Sequence, residues 1–321
     1  MNKINILITS VSGKVTLIEA FKEALVNEKI EGKIVGIDVD PYSAGLYFCN
    51  EYLVCPRLDD LKYLDFVYEL CEKEGIKLIV PTRDSDVDFF SEHKHEFEKR
   101  GVIPMVPSFE TAKICSDKYS FFEFLYNNDI PTIMSWKKNN DEVSLPCVIK
   151  DRTGAGARNF HIANTYDELC KKIKLVKNPI IQEFIEGVEY TVDYFSDFDS
   201  NVISVVPRIR LRVEGGESKI GITAKDEEII ELAKKLGTKL KLIGHNVIQC
   251  FKLKDGTIKF IEVNPRFGGG SSLCFASGVH TPTYLLQLLQ NKKVKVADFK
   301  NNFIMMRYSK DYFVDDNNII S

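Results

Sequence analysis

The last third of the chain contains the stretch Ile261-Glu262-Val263-Asn264-Pro265-Arg266, which ends a predicted β-hairpin. The turn before it, Lys254-Asp255-Gly256, is typical of a tight connection between two strands. Because side chains alternate along a strand, Glu262 and Asn264 share one face, and Gln249 lies on the opposing strand. One carboxylate and two amide oxygens are hard ligands that suit Mg²⁺. Taken alone, however, three such residues are more typical of an ordinary exposed strand face.

The first third of the chain alternates short apolar runs with amphipathic stretches. The predicted strands are residues 4–8, 33–38, 77–81 and 102–106, and the predicted helices are residues 16–27, 63–74 and 86–100. Buried strands separated by helices predict a parallel sheet, whose ligand side is the carboxyl edge of its strands. That edge would carry residues 10–13, 38–40 and 82–84.

The remainder of the chain is richer in strands. A helix is predicted from Ser116, its N-cap, to about Asn128. The further strands are predicted at 147–150, 159–162, 179–184, 190–196, 201–209, 244–253 and 257–263, and the further helices at 166–176, 226–240 and 281–290. At 321 residues the chain is too long for one compact core, so we predict more than one domain.

Two other segments have features of a nucleotide site. Lys150 ends a predicted strand and precedes residues 151–158, a loop of small residues whose backbone amides can close over phosphates. Residues 182–189 leave a strand for an irregular linker, which exposes the backbone donor and acceptor that an adenine ring needs. Glu189 has a carboxylate that can accept hydrogen bonds from ribose hydroxyls. Each segment alone is equally typical of a hairpin turn or an interdomain hinge.

The composition excludes several classes of protein. Hydrophobic residues make up 44% of the chain and charged residues 28%, as in a soluble globular protein. The net charge of -3 attracts neither nucleic acid nor an anionic membrane, and no apolar stretch approaches a membrane span. The eight cysteines show neither a C-x-x-C motif nor zinc spacing, which favours buried core residues in a reducing compartment. We therefore expect a cytoplasmic protein.

The order and spacing of these segments resemble the ATP-grasp superfamily. The resemblance rests on Lys118, Lys150 with its loop, the linker at 182–189, Gln249 and residues 262–266. It is strongest to the branch that includes the carbamoyl-phosphate synthetase large subunit and its single-module relatives. It implies an α/β and α+β fold, in which a parallel-sheet pre-ATP-grasp domain at 1–108 is followed by an ATP-grasp domain at 109–321. A small lid subdomain is implied at about 131–184.

The resemblance also implies roles for individual residues. ATP contacts are implied at Lys118, Lys150, Gly154, Gly156, Glu183, Phe184, Ile185 and Glu189, metal ligands at Gln249, Glu262 and Asn264, and a contact with the transferred phosphate at Arg266. The implied cofactors are ATP and two Mg²⁺ ions bridged by Glu262, with Mn²⁺ as an alternative metal.

Three arginines are spaced by two residues and are predicted to share one strand face. They are Arg208, Arg210 and Arg212. Arg210 is the best match to a basic residue near the γ-phosphate in relatives. A solvated strand face explains all three arginines equally well, so both interpretations stay open.

Members of this family phosphorylate a carboxylate and then let an amine displace phosphate from the acyl phosphate. We therefore expect an ADP-forming carboxylate–amine ligase with small-molecule substrates. Candidate substrate contacts are Arg83, Asp84, Arg208 and Gly269. Arg83 is expected to contact the substrate carboxylate, because it lies at the carboxyl edge of the predicted parallel sheet.

Several alternatives remain open from the sequence. Bicarbonate or a thiol could replace one of the substrates, or the chain could bind nucleotide without ligase turnover. A single grasp module argues against carbamoyl phosphate as the product. A dinucleotide-dependent oxidoreductase is disfavoured, because residues 10–14 lack the G-x-G-x-x-G pattern. The sequence also leaves open whether the chain forms a homodimer.

Overall fold

The computed structural model describes residues 3–137, 142–154 and 159–319. The amino-terminal elements are β1 (Asn5–Thr9), α1 (Val15–Asn27), β2 (Ile34–Asp38), β3 (Glu51–Val54), α2 (Tyr63–Glu74), β4 (Ile76–Val80), α3 (Asp84–Glu92), α4 (Lys94–Lys99) and β5 (Ile103–Pro104). Their strands form a five-stranded parallel sheet in the order β3-β2-β1-β4-β5. This confirms the predicted parallel sheet.

Both faces of the parallel sheet are covered, which explains why the central strands β1, β2 and β4 are mostly apolar. On one face, Ile6 and Ile8 of β1 belong to a core shared with α1. On the other face, Leu7 packs with residues of α2, α3 and α4. The predicted helix at 86–100 is in fact two helices, with His93 between them. The edge strand β3 was not predicted, because it is short and only partly buried.

The rest of the chain supplies two antiparallel sheets. The elements are α5 (Phe109–Ser116), α6 (Lys118–Asn127), β6 (Ser135–Trp136), β7 (Cys147–Asp151), β8 (His161–Ala163), α7 (Tyr166–Lys172), β9 (Pro179–Glu183), β10 (Gly187–Ser196), β11 (Val202–Glu214), β12 (Glu217–Thr223), α8 (Glu227–Leu240), β13 (Gly244–Leu253), β14 (Ile258–Asn264), α9 (Ser272–Ala276), α10 (Thr281–Leu289) and β15 (Ile304–Met306). The four-stranded sheet has the order β6-β9-β7-β8, and the six-stranded sheet has the order β14-β13-β10-β11-β12-β15. With the parallel sheet, they confirm the predicted α/β and α+β class.

One helix cap differs from the prediction. Ser116 is the last residue of α5, and Asp117 is the N-cap of α6. The Asp117 carboxylate accepts hydrogen bonds from the amides of Tyr119 and Ser120, at 2.9 and 3.0 Å. A carboxylate also suits the positive end of a helix better than a hydroxyl does. The prediction of Ser116 as the N-cap was therefore wrong by one residue.

The two faces of the six-stranded sheet have different partners. Tyr190, Val192 and Tyr194 of β10 point into a core that they share with α8. Because side chains alternate along a strand, Glu189, Thr191 and Asp193 lie on the opposite face.

Among the described residues, no helix is both long and apolar enough to cross a membrane.

Candidate active site

A row of polar side chains crosses four strands of the six-stranded sheet. Arg208 on β11 pairs with Thr191 on β10, Thr191 pairs with Gln249 on β13, and Gln249 pairs with Glu262 on β14. Directly paired residues of antiparallel strands project from the same face. The structure therefore places two of the three predicted metal ligands side by side.

The third predicted ligand lies in the next row. Asn264 pairs with Val247, and Val247 pairs with Asp193. The Asn264 amide nitrogen donates to a Glu262 carboxylate oxygen at 3.3 Å. The Asn264 amide oxygen accepts from Arg266 Nη2, also at 3.3 Å. These contacts bring Glu262, Asn264 and Arg266 together at the end of β14.

Two of the cavities at this part of the sheet are lined by both Gln249 and Glu262. The first has a volume of about 590 Å³ and is called the apolar cavity here. Its walls include Ile133, Val148, Phe184, Ile185, Phe251 and Ile261. The second has a volume of about 630 Å³ and is called the charged cavity. Its walls include Lys14, Arg83, Asp84, Arg208, Arg266 and residues 268–270.

Two lysines line the apolar cavity near Glu262. Burial lowers the pKa of Lys150 to about 8, although the nearby Glu262 carboxylate opposes the shift. Lys118 is buried, and its ammonium group donates to the Gly154 carbonyl oxygen at 2.8 Å. Gly156, which the sequence also placed at this site, lies outside the described residues.

An ion pair fixes the start of α6 against the end of β7. Arg152 donates through Nε and Nη2 to the two carboxylate oxygens of Asp117, at 2.8 and 2.6 Å. The Lys118 amide donates to the Arg152 carbonyl at 3.1 Å. Because Arg152 follows Lys150 closely, this pair holds both lysines near the same cavity. No local pattern predicts this pair, since its partners are 35 residues apart.

The linker after β9 forms one end of the apolar cavity. The Glu183 carboxylate accepts from the Met134 amide at 2.8 Å and pairs with Lys259 at 2.6 Å. Glu183 is thereby fixed in place. The next amide, of Phe184, donates to the Pro146 carbonyl at 3.2 Å. The Ile185 amide donates to no described residue, so it is available to a ligand in the cavity.

The predicted arginine face is only partly present. Arg210 forms an ion pair with Glu189 and donates to the Gly216 carbonyl at 2.7 Å. Arg208 pairs with the buried Asp193 at 2.8 Å. A β-bulge between Arg210 and Arg212 interrupts the alternation, and Arg212 is exposed outside both cavities. The prediction of a common face was therefore wrong for Arg212.

The charged cavity joins the six-stranded sheet to the carboxyl edge of the parallel sheet. Arg266 donates to both oxygens of Asp84, at 2.6 Å from Nε and 3.2 Å from Nη2. Arg83 is exposed at the rim. Gly269 accepts a hydrogen bond from Arg307 through its carbonyl. In the order β3-β2-β1-β4-β5, the connections diverge between β1 and β4, which is where α/β sheets bind ligands.

Lys14 is a cavity residue that the sequence analysis missed. It follows β1 at the sheet edge and lines the charged cavity. Burial and, next, the positive charge of Arg266 lower its pKa. The available signal was its position in the loop between the first strand and the first helix.

Two family models match the chain. A PylC-like N-terminal domain matches residues 6–106, and an ATP-grasp domain matches residues 115–270. The chain therefore contains an ATP-grasp domain. The resemblance inferred from the order of Lys118, Lys150, Gln249 and Glu262 is thereby confirmed at the level of the superfamily.

Individual proteins agree with this ATP-grasp assignment. The carbamoyl phosphate synthase large chain of Thermoanaerobacter sp. (strain X514) is 26% identical over 226 residues, which are 63% of this chain and 21% of that protein. This chain thus spans about a fifth of the length of that relative. The D-alanine–D-alanine ligase of Fervidobacterium nodosum is 27% identical over 141 residues, 39% of this chain and 45% of that protein.

A solved structure shows the same fold. The biotin carboxylase domain of Hydrogenobacter thermophilus 2-oxoglutarate carboxylase superposes with a TM-score of 0.75 and 17% identity. The match covers 94% of this chain and 73% of that chain. That structure is a dimer in complex with MgADP and bicarbonate.

The residues of this ATP-grasp chain fit a magnesium–nucleotide complex. Gln249, Glu262 and Asn264 each carry a side-chain oxygen at this end of the sheet, and magnesium prefers oxygen ligands. Magnesium also keeps water and phosphate oxygens as ligands, so a single carboxylate with two amides is a sufficient protein contribution. The desolvated Lys150 nearby supplies positive charge to the same place.

Proposed function

We propose that this ATP-grasp protein is an ADP-forming carboxylate–amine ligase that acts on a small-molecule acid. The observation that carries the proposal is the position of Glu262 and Gln249, which line both the apolar and the charged cavity. The apolar cavity has the walls and size of a nucleotide site. The charged cavity has room for a second, anionic reactant beside it.

The lining residues suggest which side chains would bind each part of the MgATP complex. The Ile185 amide and the apolar walls would hold the adenine, with Glu183 and Phe184 shaping the linker. Lys118, Lys150 and Arg266 would neutralise the phosphates. Gln249, Glu262 and Asn264 would hold two Mg²⁺ ions, which would balance the charge that migrates with the phosphoryl group.

The reaction itself consists of two displacements. A carboxylate oxygen of the acid in the charged cavity attacks the γ-phosphorus of ATP, and ADP leaves. An amine nitrogen then attacks the carbonyl carbon of the acyl phosphate, inorganic phosphate leaves, and the nitrogen loses a proton. Fixed positive charge stabilises both steps because it is in place before charge develops. The similarity to a D-alanine–D-alanine ligase supports this reaction class.

Three further features belong to the proposal. The domain division is at 1–108 and 109–321, with a lid subdomain at about 131–184. The protein acts in the cytoplasm. It forms a homodimer, as the biotin carboxylase domain of similar fold does.

The deciding experiment replaces the shared carboxylate. Glu262→Gln should reduce acid-dependent ADP release by about 100-fold or more, as removal of a main electrostatic group does in other active sites. The substitution should leave the fold intact, because Glu262 is only half-buried and faces the cavities. Glu231→Gln, on the exposed face of α8, is the matched control.

The assay should cover a panel of carboxylic acids with amines, and bicarbonate and thiols in separate reactions. Nucleotide binding without ADP release from any acid would indicate a binding module instead of a ligase. If ADP were released only with bicarbonate, bicarbonate would replace the carboxylic acid in the proposal. If a thiol were required as the nucleophile, the thiol would replace the amine.

A further inference from the structure

A buried carboxylate lies behind the charged cavity. Asp193 is fully buried, and Arg208 Nε donates to its Oδ2 at 2.8 Å. Its Oδ1 accepts from Ser271 Oγ at 2.6 Å and contacts His245 Nε2 at 3.1 Å. Burial alone would raise the pKa of Asp193, but Arg208 and His245 hold the pKa well below its ordinary value. The carboxylate is therefore ionised and bound on both oxygens.

The same carboxylate holds a second wall of the cavity. The Gly268 amide donates to Ser271 Oγ at 3.0 Å, so the loop 268–270 is tied to Asp193 through Ser271. Gly270 lies against the guanidinium of Arg208. A Cβ at this position would stand 2.6 Å from Arg208 Nη1. The guanidinium is thus fixed between Asp193 and the glycine loop.

The terminal nitrogens of Arg208 differ from those of the other cavity arginines. Arg210 uses Nη1 on Glu189 and Nη2 on Gly216, and Arg266 uses Nε and Nη2 on Asp84. Arg208 uses Nε on Asp193, and its Nη1 and Nη2 donate to no described residue. Its side chain is only 3% exposed, yet it lines the charged cavity. A buried, fixed guanidinium with two unused donors is suited to bind a carboxylate by both oxygens.

Arg208 lies far from Glu262, where the carboxyl group of the substrate is proposed to be phosphorylated. Arg208 and Glu262 occupy the ends of one row, with β10 and β13 between their strands. Three strand spacings amount to about 14 Å between their Cα atoms. A group bound at Arg208 is therefore distinct from the carboxyl that reacts beside Glu262.

On the basis of the proposed ligase function, we propose that the acid substrate carries a second carboxylate and that Arg208 binds it through Nη1 and Nη2. Asp193, His245 and Ser271 are positioning residues, because they act on the substrate only through Arg208 and the glycine loop. The substrate class is thus a small dicarboxylic acid. Lys14 adds positive charge to the same cavity.

The test compares acids with their monoamides, which differ in one carboxylate. The probes are succinate and succinamate, L-aspartate and L-asparagine, and L-glutamate and L-glutamine. Dissociation constants are measured by titration calorimetry in the presence of MgADP, without turnover. For at least one pair, the wild-type protein should bind the diacid at least tenfold more tightly than the monoamide.

Two variants connect that preference to Arg208. Arg208→Lys keeps a positive charge beside Asp193 but loses the two terminal guanidinium nitrogens. Gly270→Ala places a Cβ against the guanidinium and displaces it, while both charged residues stay in the chain. Both should reduce the diacid preference to less than twofold, with the affinity for MgATP unchanged within twofold. Gly221→Ala is the matched control, because its Cβ would meet neighbours only at ordinary contact distances of 3.5 Å or more.

The outcomes separate this proposal from the ligase proposal. Equal affinity of the wild-type protein for diacids and monoamides, or no binding of any diacid, overturns the second carboxylate. A preference that survives in both variants also overturns it, and leaves Arg208 as a structural ion pair. If the protein prefers diacids but releases ADP with none of the acids, the carboxylate site at Arg208 is supported and the proposed ligase function is rejected.

Discussion

The apolar and the charged cavity share Gln249 and Glu262 but are built in different ways. The apolar cavity has aliphatic and aromatic walls and one linker after β9. The charged cavity is assembled from the ends of β1 and β4, from β11 and from the loop 268–270. Its charges are paired with one another, as in Arg266 with Asp84 and Arg208 with Asp193. The first cavity therefore depends mainly on apolar contact, whereas the second depends on the exact pairing of charges.

The largest expected effect comes from breaking the buried pair behind the charged cavity. Asp193→Ala should lower the free energy of unfolding by about 3–5 kcal/mol, because it leaves the Arg208 guanidinium buried without a counter-charge. Urea denaturation monitored by fluorescence of the single tryptophan measures the change.

Two controls place this effect in the charged cavity. Glu189→Gln removes the charge that pairs with Arg210. Because the Glu189 side chain is 28% exposed, the loss should be less than about 1 kcal/mol. The double variant Asp193→Leu with Arg208→Met should recover most of the lost stability, because it removes both charges together. If Asp193→Ala and Glu189→Gln lowered the free energy of unfolding equally, the charged cavity would depend on its ion pairs no more than the apolar cavity does.

The second prediction concerns the charge in the apolar cavity. Lys150 has a lowered pKa of about 8, so it is protonated below that pH and loses its charge above it. The affinity for MgATP should therefore fall as the pH rises above about 8, by up to about tenfold per pH unit. Fluorescence titration with a labelled ATP analogue between pH 7 and 9.5 measures this.

Lys150→Arg supplies the matched control, since arginine stays charged throughout this range. Its affinity for the nucleotide should not change with pH above 8. A wild-type affinity that is constant to pH 9.5 would mean that Lys150 does not contact the phosphates.

Local patterns predicted those parts of the site that depend on one or two strands. The hairpin of β13 and β14 was predicted because alternation and the Lys254-Asp255-Gly256 turn are local. The face shared by Glu262 and Asn264 follows from the same alternation. Local periodicity therefore predicted the polar face of this hairpin without knowledge of its partners elsewhere in the fold.

Partners that are far apart in the chain were not predictable in the same way. Asp193 meets His245 and Ser271 across 52 and 78 residues, and their pairing requires the register of β10 with β13. The bulge that turns Arg212 away from the cavities likewise depends on the pairing of β11 with β12. Strand periodicity alone cannot supply either contact.

The third prediction concerns the ion pair between the two sheets. Arg266 and Asp84 are 16% and 31% exposed, so solvent screens them more than it screens Arg208 and Asp193. Asp84→Asn should lower the free energy of unfolding by about 1 kcal/mol, as measured by urea denaturation. If Asp84→Asn lowered the free energy of unfolding as much as Asp193→Ala, burial would not determine which of the two ion pairs contributes more to stability.

The smallest effect is expected at the rim of the charged cavity. Arg83 is exposed there, and its charge is largely screened by water. If it contacts the substrate carboxylate as the sequence predicts, Arg83→Ala should raise the KM for the acid about two- to threefold and leave kcat unchanged, in keeping with an exposed ion pair. Steady-state ADP release at varied acid concentration gives both constants. Arg57→Ala, at an exposed pair outside both cavities, is the control. An unchanged KM in Arg83→Ala would mean that water screens the charge of Arg83 so strongly that it does not contribute to binding of the acid. Recognition of the acid would then depend on the buried Arg208.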